Sequence, residues 1–233
     1  MVYVLKQEFI DAFKSVRSIL ILLFITFVSY QSAKFFDSNQ DIINKFIEES
    51  GNEVGSVYTA AIRLIVLIFG FLFAFAISHD LINRELEMKT IRLLVTKTSR
   101  LQIVLGKFLG ALLFWVVTIS ISFGVISLIT GAWFIKDYFQ TMIFLFYIVS
   151  FVLFISTVIP KTKLTMFLGI FLGILMPIIG LLTAFSNKWY FIPFKYLLPY
   201  RYLDGSISMS LIPLVIGVGY ISISIFSVNR KDL

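Results

Sequence analysis

The stretch from Arg84 to Lys107, RELEMKTIRLLVTKTSRLQIVLGK, concentrates eight charged residues in a chain that is only 14% charged. Its acids are Glu85 and Glu87 and its bases include Arg84, Lys89, Arg92 and Lys97. The apolar group Ile91, Leu93, Leu94 and Val95 lies among them. Charge and apolar side chains together in a short element suit docking into a protein groove, or simply a solvated face. Catalytic chemistry, by contrast, has little to work with. There is one histidine, His79, and there are no cysteines, so multi-histidine and thiolate metal sites and disulfides are excluded. No GxxxxGK[ST] loop is present to cradle a nucleotide, and no GxSxG nucleophile turn.

The elements that must position the charged segment follow from composition. With 59% hydrophobic residues, a mean hydropathy of +0.96 and 26 phenylalanines, the apolar content exceeds what a soluble core of 233 residues can hide. A spanning helix needs about 20 mostly apolar residues. Runs of that kind lie roughly at 17–34, 58–79, 105–130, 139–159, 164–185 and 210–228. They do not alternate as barrel strands would. The expectation is an all-α membrane protein of six transmembrane helices, a single transmembrane domain over 1–233. The early charges Lys6, Glu8, Asp11, Lys14 and Arg17 argue against a cleaved signal peptide.

Orientation follows from Lys and Arg bias. With the N-terminus inside, thirteen basic residues fall on the cytoplasmic side and six on the other, leaving Arg63 inside the second span. Both termini, and the Arg84–Lys107 segment, are therefore expected in the cytoplasm. The net charge of +7 then reflects topology and an anionic inner leaflet, not nucleic acid. Leu5, Phe9, Phe13 and Val16 recur at helical spacing, which gives either an interfacial helix before the first span or a frayed tail. Residues 35–57 form a polar outer loop whose middle suits a short amphipathic helix. In 186–210, six aromatics between Trp189 and Tyr200 and prolines at 193 and 199 predict short helices in the outer leaflet before the sixth span, or else an aromatic-anchored loop.

Ser99 and Gln102 make an S-x-x-Q capping box that starts the third helix and ends the loop. Gly106 and Gly110 form a small-residue pair for close helix contact. In the fifth span Gly169, Gly173, Pro177 and Gly180 share a face, and Pro177 predicts a kink. Packing within one subunit is the favoured meaning of both stripes. Thr118, Ser120 and Ser122 add mild polarity that lines a cavity or bonds back to its own helix. Arg63, near the outer end of its span, is expected to snorkel to the headgroups. All thirteen Asp and Glu read as lying in loops, tails or boundaries, which weakens an ion-coupled carrier.

From Arg84 to Gly110 the sequence resembles the permease subunits of type-2 ATP-binding-cassette exporters, whose fold is shared with the G-subfamily half-transporters. Similar to that family are the acidic pair Glu85 and Glu87, the Thr-Ile-Arg-Leu-Leu group ending at Leu94, the Lys97-Thr-Ser-Arg turn, and the Gly-Lys-Phe-Leu-Gly helix start at Gly106. Two departures stand out. Lys89 occupies the place where glycine is usual, and Thr98 replaces or shifts a proline. The six-span layout, N-terminal helix and aromatic segment extend the likeness over nearly the whole chain.

The resemblance implies a transport subunit, not an enzyme, located in a bacterial plasma membrane. Two permease chains, expected as a homodimer, would form the pathway, driven by two copies of a separate cytoplasmic ATPase. This chain would bind no cofactor itself, ATP and Mg being held by the ATPase. The segment between spans two and three would be the coupling helix, with Arg84, Glu85, Glu87, Arg92, Leu93, Leu94, Val95 and Lys97 facing the ATPase. Glu85 and Glu87 are expected to pair with bases on the N-terminal helix or on the ATPase. A wall rich in Phe, Ile and Leu suits amphipathic peptides, antimicrobials or lipophilic compounds as cargo. A stand-alone channel or ion-coupled transporter is the alternative, and a membrane-bound enzyme has almost no intramembrane polar residues to draw on.

Overall fold

The computed structural model describes residues 1–41, 54–90, 98–185, 188–202 and 207–230. Within them six helices are long and apolar enough to cross a membrane. They cover Val16–Ser38, Val54–Ser78, Arg100–Thr130, Ile135–Val158, Thr162–Phe185 and Ile207–Arg230, and are called here the first to sixth spans. No strand occurs among the described residues. In hydrocarbon a helix satisfies its own backbone, which is why such runs have no other outlet. Side-chain hydroxyls are absorbed in the same way: Ser29, Thr118, Ser122, Ser150 and Thr157 each donate to the carbonyl four residues back. Ser120 instead meets the Tyr138 hydroxyl at 2.9 Å.

Several boundaries differ from expectation. The first span is longer than 17–34 and runs to Ser38, with Lys34 held over the Tyr30 ring at 5.9 Å. The polar loop expected over 35–57 is correspondingly shorter, being helical up to Ser38 and again from Val54. The amphipathic helix expected in its middle lies outside the described residues. A separate helix, Val2–Lys14, precedes the first span, and extended Ser15 breaks the two apart.

The fourth span is the centre of the bundle: 61% of its apolar window is buried, against 22% for the first span. It packs on the second, third and sixth spans, while the fifth lies against the second and the first against the second and third. Lipid supplies no hydrophobic drive between helices, so close backbone approach and polar contacts must do that work. Glycines mark those approaches. A Cβ on Gly173 would sit 2.8 Å from the Leu72 Cα, and one on Gly169 would sit 2.7 Å from the Phe75 ring. The small-residue face of the fifth span is thus the seat of the second span. Pro177 lies inside that helix, and further on a Cβ on Gly180 would meet the Tyr200 ring at 2.4 Å.

The two ends of the bundle differ. One, the basic end, gathers the N-terminal helix, the close of the second span, the start of the third, the turn at Ile159–Lys161 and the close of the sixth. The other, the aromatic end, holds Gly131, which terminates the third span in the left-handed region at φ 68°, and the segment from Trp189. Here a 3-10 turn, a short helix Ile192–Leu197 and a second 3-10 turn, Pro199–Tyr202, follow one another. This segment enters the bundle. The Tyr147 hydroxyl donates to the Leu197 carbonyl at 3.1 Å, and the Tyr200 hydroxyl to the Leu67 carbonyl at 3.0 Å. Tyr147 and Leu67 lie near the midpoints of their spans, so the segment reaches about half the length of its neighbours.

Candidate coupling site

The second span ends at Ser78 and a turn carries the chain into the short helix Asn83–Glu87. That helix is held from both sides. Asn83 is fully buried; its side chain donates to the Thr165 hydroxyl at 2.6 Å and accepts from the Ser156 hydroxyl at 3.2 Å. The Ser156 oxygen also takes the backbone N–H groups of Ile82 and Asn83 at 2.9 and 3.3 Å. One residue thereby fixes the element to the ends of the fourth and fifth spans.

Lys107, about two turns into the third span, fastens the opposite side. It is 6% exposed, with its ammonium 3.1 Å from Glu8 of the N-terminal helix and 3.4 Å from Glu85. Thr90 donates to the second oxygen of Glu85. The lysine can lie so deep because the helix beside it is bare. A Cβ on Gly106 would be 3.1 Å from that of Val4, and one on Gly110 would be 2.7 Å from that of Glu8. The glycine pair of the third span is therefore the cradle of the N-terminal helix. Burial raises the pKa of Glu8 above its ordinary 4.5, and attraction from Lys107 offsets the rise only in part.

Within this chain neither Glu85 nor Glu87 pairs with a base of the N-terminal helix among the described residues. Glu85 pairs with Lys107 of the third span; the N-terminal helix contributes Glu8, an acid, to the same lysine. Glu87 accepts the Thr162 backbone N–H at 3.0 Å and the Thr162 hydroxyl, at the first residue of the fifth span. A carboxylate there satisfies an unpaired helix N–H and faces the positive end of the dipole. Arg84 is exposed, 3.9 Å from Asp80. Arg92, Leu93, Leu94, Val95 and Lys97 lie outside the described residues.

Lys89, where the family pattern has glycine, is left-handed at φ 57°. That backbone is what glycine adopts without strain. After the turn, Ser99 caps the third span by accepting the Gln102 N–H at 3.3 Å. Arg100 then donates to the carbonyls of Val228 and Asn229 at 3.0 and 2.9 Å, fixing the start of the third span to the close of the sixth.

At the aromatic end Arg63, expected to snorkel to the headgroups, is engaged inside the bundle. Its guanidinium is 3.2 Å from Asp137, and the Thr59 hydroxyl donates to the other oxygen at 2.6 Å. Asp137 lies at the boundary of the fourth span, in its first turn, as its sequence position suggested, but it is buried. His79 sits at the basic end, its Nδ1 3.1 Å from the Phe75 carbonyl. No cluster of three or more metal-ligating groups occurs among the described residues.

Sequence reasoning missed Glu8, Lys107, Asn83 and Asp137. Only Lys107 carried a signal, being a charge set between two glycines of a close-contact stripe. Residues 2–225 match the family described as ABC-2 family transporter protein. No curated protein matches the chain. The chain belongs to the ABC-2 transporter family and is a multi-pass membrane protein of its transport component.

Proposed function

Starting from membership of the ABC-2 transporter family, we propose that this chain is the permease subunit of an ATP-driven exporter in a bacterial plasma membrane. Two copies form the pathway, and two ATPase subunits, holding ATP and Mg, dock from the cytoplasm at the basic end. The docking element runs from Arg84 through Arg92, Leu93, Leu94, Val95 and Lys97. Glu85 and Glu87, turned towards their own chain, fasten it to the spans.

The observation that carries this reading is the double attachment of the Asn83–Glu87 helix. Lys107 joins it to the N-terminal helix and third span, while Asn83 and Glu87 join it to the fourth and fifth. Arg100 extends the linkage to the sixth span. A push on the element displaces the ends of four spans together, which is what a lever needs. A freely hanging loop would absorb the motion.

Cargo follows from the scarcity of ionisable groups: an amphipathic peptide, antimicrobial or lipophilic compound. The test is co-expression with the partner ATPase. Leu94→Asp is expected to abolish co-purification and transport while leaving membrane insertion intact. Solute movement by the purified chain alone in liposomes, without any ATPase, overturns the proposal in favour of a channel or ion-coupled carrier.

A further inference from the structure

Where the N-terminal helix turns into the first span at Ser15, a cavity of about 180 Å³ opens between this elbow and the close of the second span. Its walls carry charges of both signs. Glu8, Asp11 and Asp80 supply carboxylates, and Arg17 and Arg84 supply guanidinium groups. Among the described residues neither arginine is firmly engaged. Arg17 reaches the Ala76 carbonyl only at 3.5 Å, and Arg84 is 3.9 Å from Asp80 with 61% of its side chain exposed.

Two serines in the same wall give the second observation. Ser18 and Ser78 are 0% and 1% exposed, and their hydroxyl oxygens have no hydrogen-bond partner among the described residues. In other spans such hydroxyls bond back to their own helix, as Ser122 and Ser150 do. A buried hydroxyl without a partner is unfavourable by about 1–3 kcal/mol in proteins generally, so a polar occupant fits this place.

We propose that the elbow cavity takes the headgroup of a phospholipid bearing a primary amine. The phosphate faces Arg17 and Arg84, which can offer forked donors to its oxygens. The ammonium, with three N–H donors, faces Asp11 and Asp80. A choline headgroup has the same charges and no donor, so these carboxylates would discriminate against it. Beyond the elbow Ile19, Leu20 and Leu23 are exposed along the first span, an apolar surface on which acyl chains can lie. The cavity is at the level where an interfacial helix enters its first span, the depth of headgroups. This inference rests on the chain spanning a membrane and is independent of the ATPase reading.

The experiment uses the full-length chain in detergent, titrated with short-chain phosphatidylethanolamine, phosphatidylcholine, phosphatidylglycerol or inorganic phosphate, with thermal unfolding as the readout. Phosphatidylethanolamine is expected to give a saturable rise in Tm of roughly 5 °C, with an apparent affinity about tenfold above that of phosphatidylcholine. The double variant Asp11→Asn, Arg17→Gln keeps its lipid-free Tm and loses this preference. Equal effects of all three lipids, or of inorganic phosphate alone, overturn the proposal and leave the cavity to water. An ethanolamine preference that survives in the double variant overturns it too, because the lipid then binds elsewhere. The comparison of lipids on the unmodified chain decides the matter even if the variant misfolds.

Discussion

Arg63 of the second span and Asp137 of the fourth form an ion pair at 3.2 Å, with 19% and 9% of their side chains exposed. Two helices that would otherwise meet through apolar side chains are thereby given a fixed register, and Thr59 completes the acid's shell. Removing one member of such a pair is the damaging change, since the other charge then stays in a poor environment. Asp137→Ala is expected to lower stability by about 3–5 kcal/mol, read as early loss of the monodisperse peak on heated size exclusion. The double change Arg63→Met, Asp137→Leu should recover most of that loss. If the double variant is as unstable as the single one, the pair is not what joins these helices.

Lys107 is the sole base placed between Glu8 and Glu85 in the described structure. Lys107→Met leaves two carboxylates facing each other, and the N-terminal helix should come away from the third span. Limited proteolysis within residues 1–15 is the readout. The pH dependence has a definite sign. Glu8 has its folded pKa raised above 4.5 by burial, so the folded state holds the proton more tightly than the unfolded chain. Its contribution is present at low pH and lost as pH rises through the folded value. The unmodified chain should therefore gain stability on mild acidification relative to Glu8→Gln, and Lys107→Met should gain more. A Glu8→Gln variant with the same Tm-versus-pH slope as the unmodified chain contradicts this.

What could be read from the sequence was local or compositional. Apolar length places all six spans, because hydrocarbon leaves a backbone no alternative to helix. Ser99 announces the third helix through a bond only three residues long. The glycine stripes signal close approach, but nothing in their spacing says that Gly106 and Gly110 receive the N-terminal helix, or that Gly169 and Gly173 receive the second span. The ion pairs were illegible for a related reason: Lys107 and Glu8 are 99 positions apart, Arg63 and Asp137 74 apart, and charges at run ends look solvated until the ends are brought together. The aromatic segment was recognised by its Trp and Tyr content. Its depth depends on Tyr200 finding Leu67, 133 residues away.

Gly173 tests the packing of the fifth span directly. Its added Cβ would fall on the Leu72 Cα at 2.8 Å, so relief requires the helices to part, since no flexible side-chain end is there to swing aside. Gly173→Leu should destabilise by about 1–3 kcal/mol or more and should also impair any ATP-driven transport. Gly124→Leu is the control, because nothing lies within 4 Å of a Cβ at that position. Equal behaviour of the two variants would mean that the second and fifth spans are not in close contact.

Lys89 holds a left-handed backbone at φ 57° in the turn after the Asn83–Glu87 helix. For a residue with a side chain that conformation is unfavourable by roughly 1–2 kcal/mol, whereas glycine occupies it freely. Lys89→Gly therefore relieves strain but gives the unfolded chain more freedom, so the net gain is about 1 kcal/mol at most. Lys89→Val should lose stability, because a β-branched side chain fits that region worst. The order Gly, then Lys, then Val in Tm is the expected result. A valine variant as stable as the glycine one would show that the turn does not hold this backbone in solution. Should the glycine variant be more stable yet transport more slowly, the strain at Lys89 would belong to the proposed coupling motion.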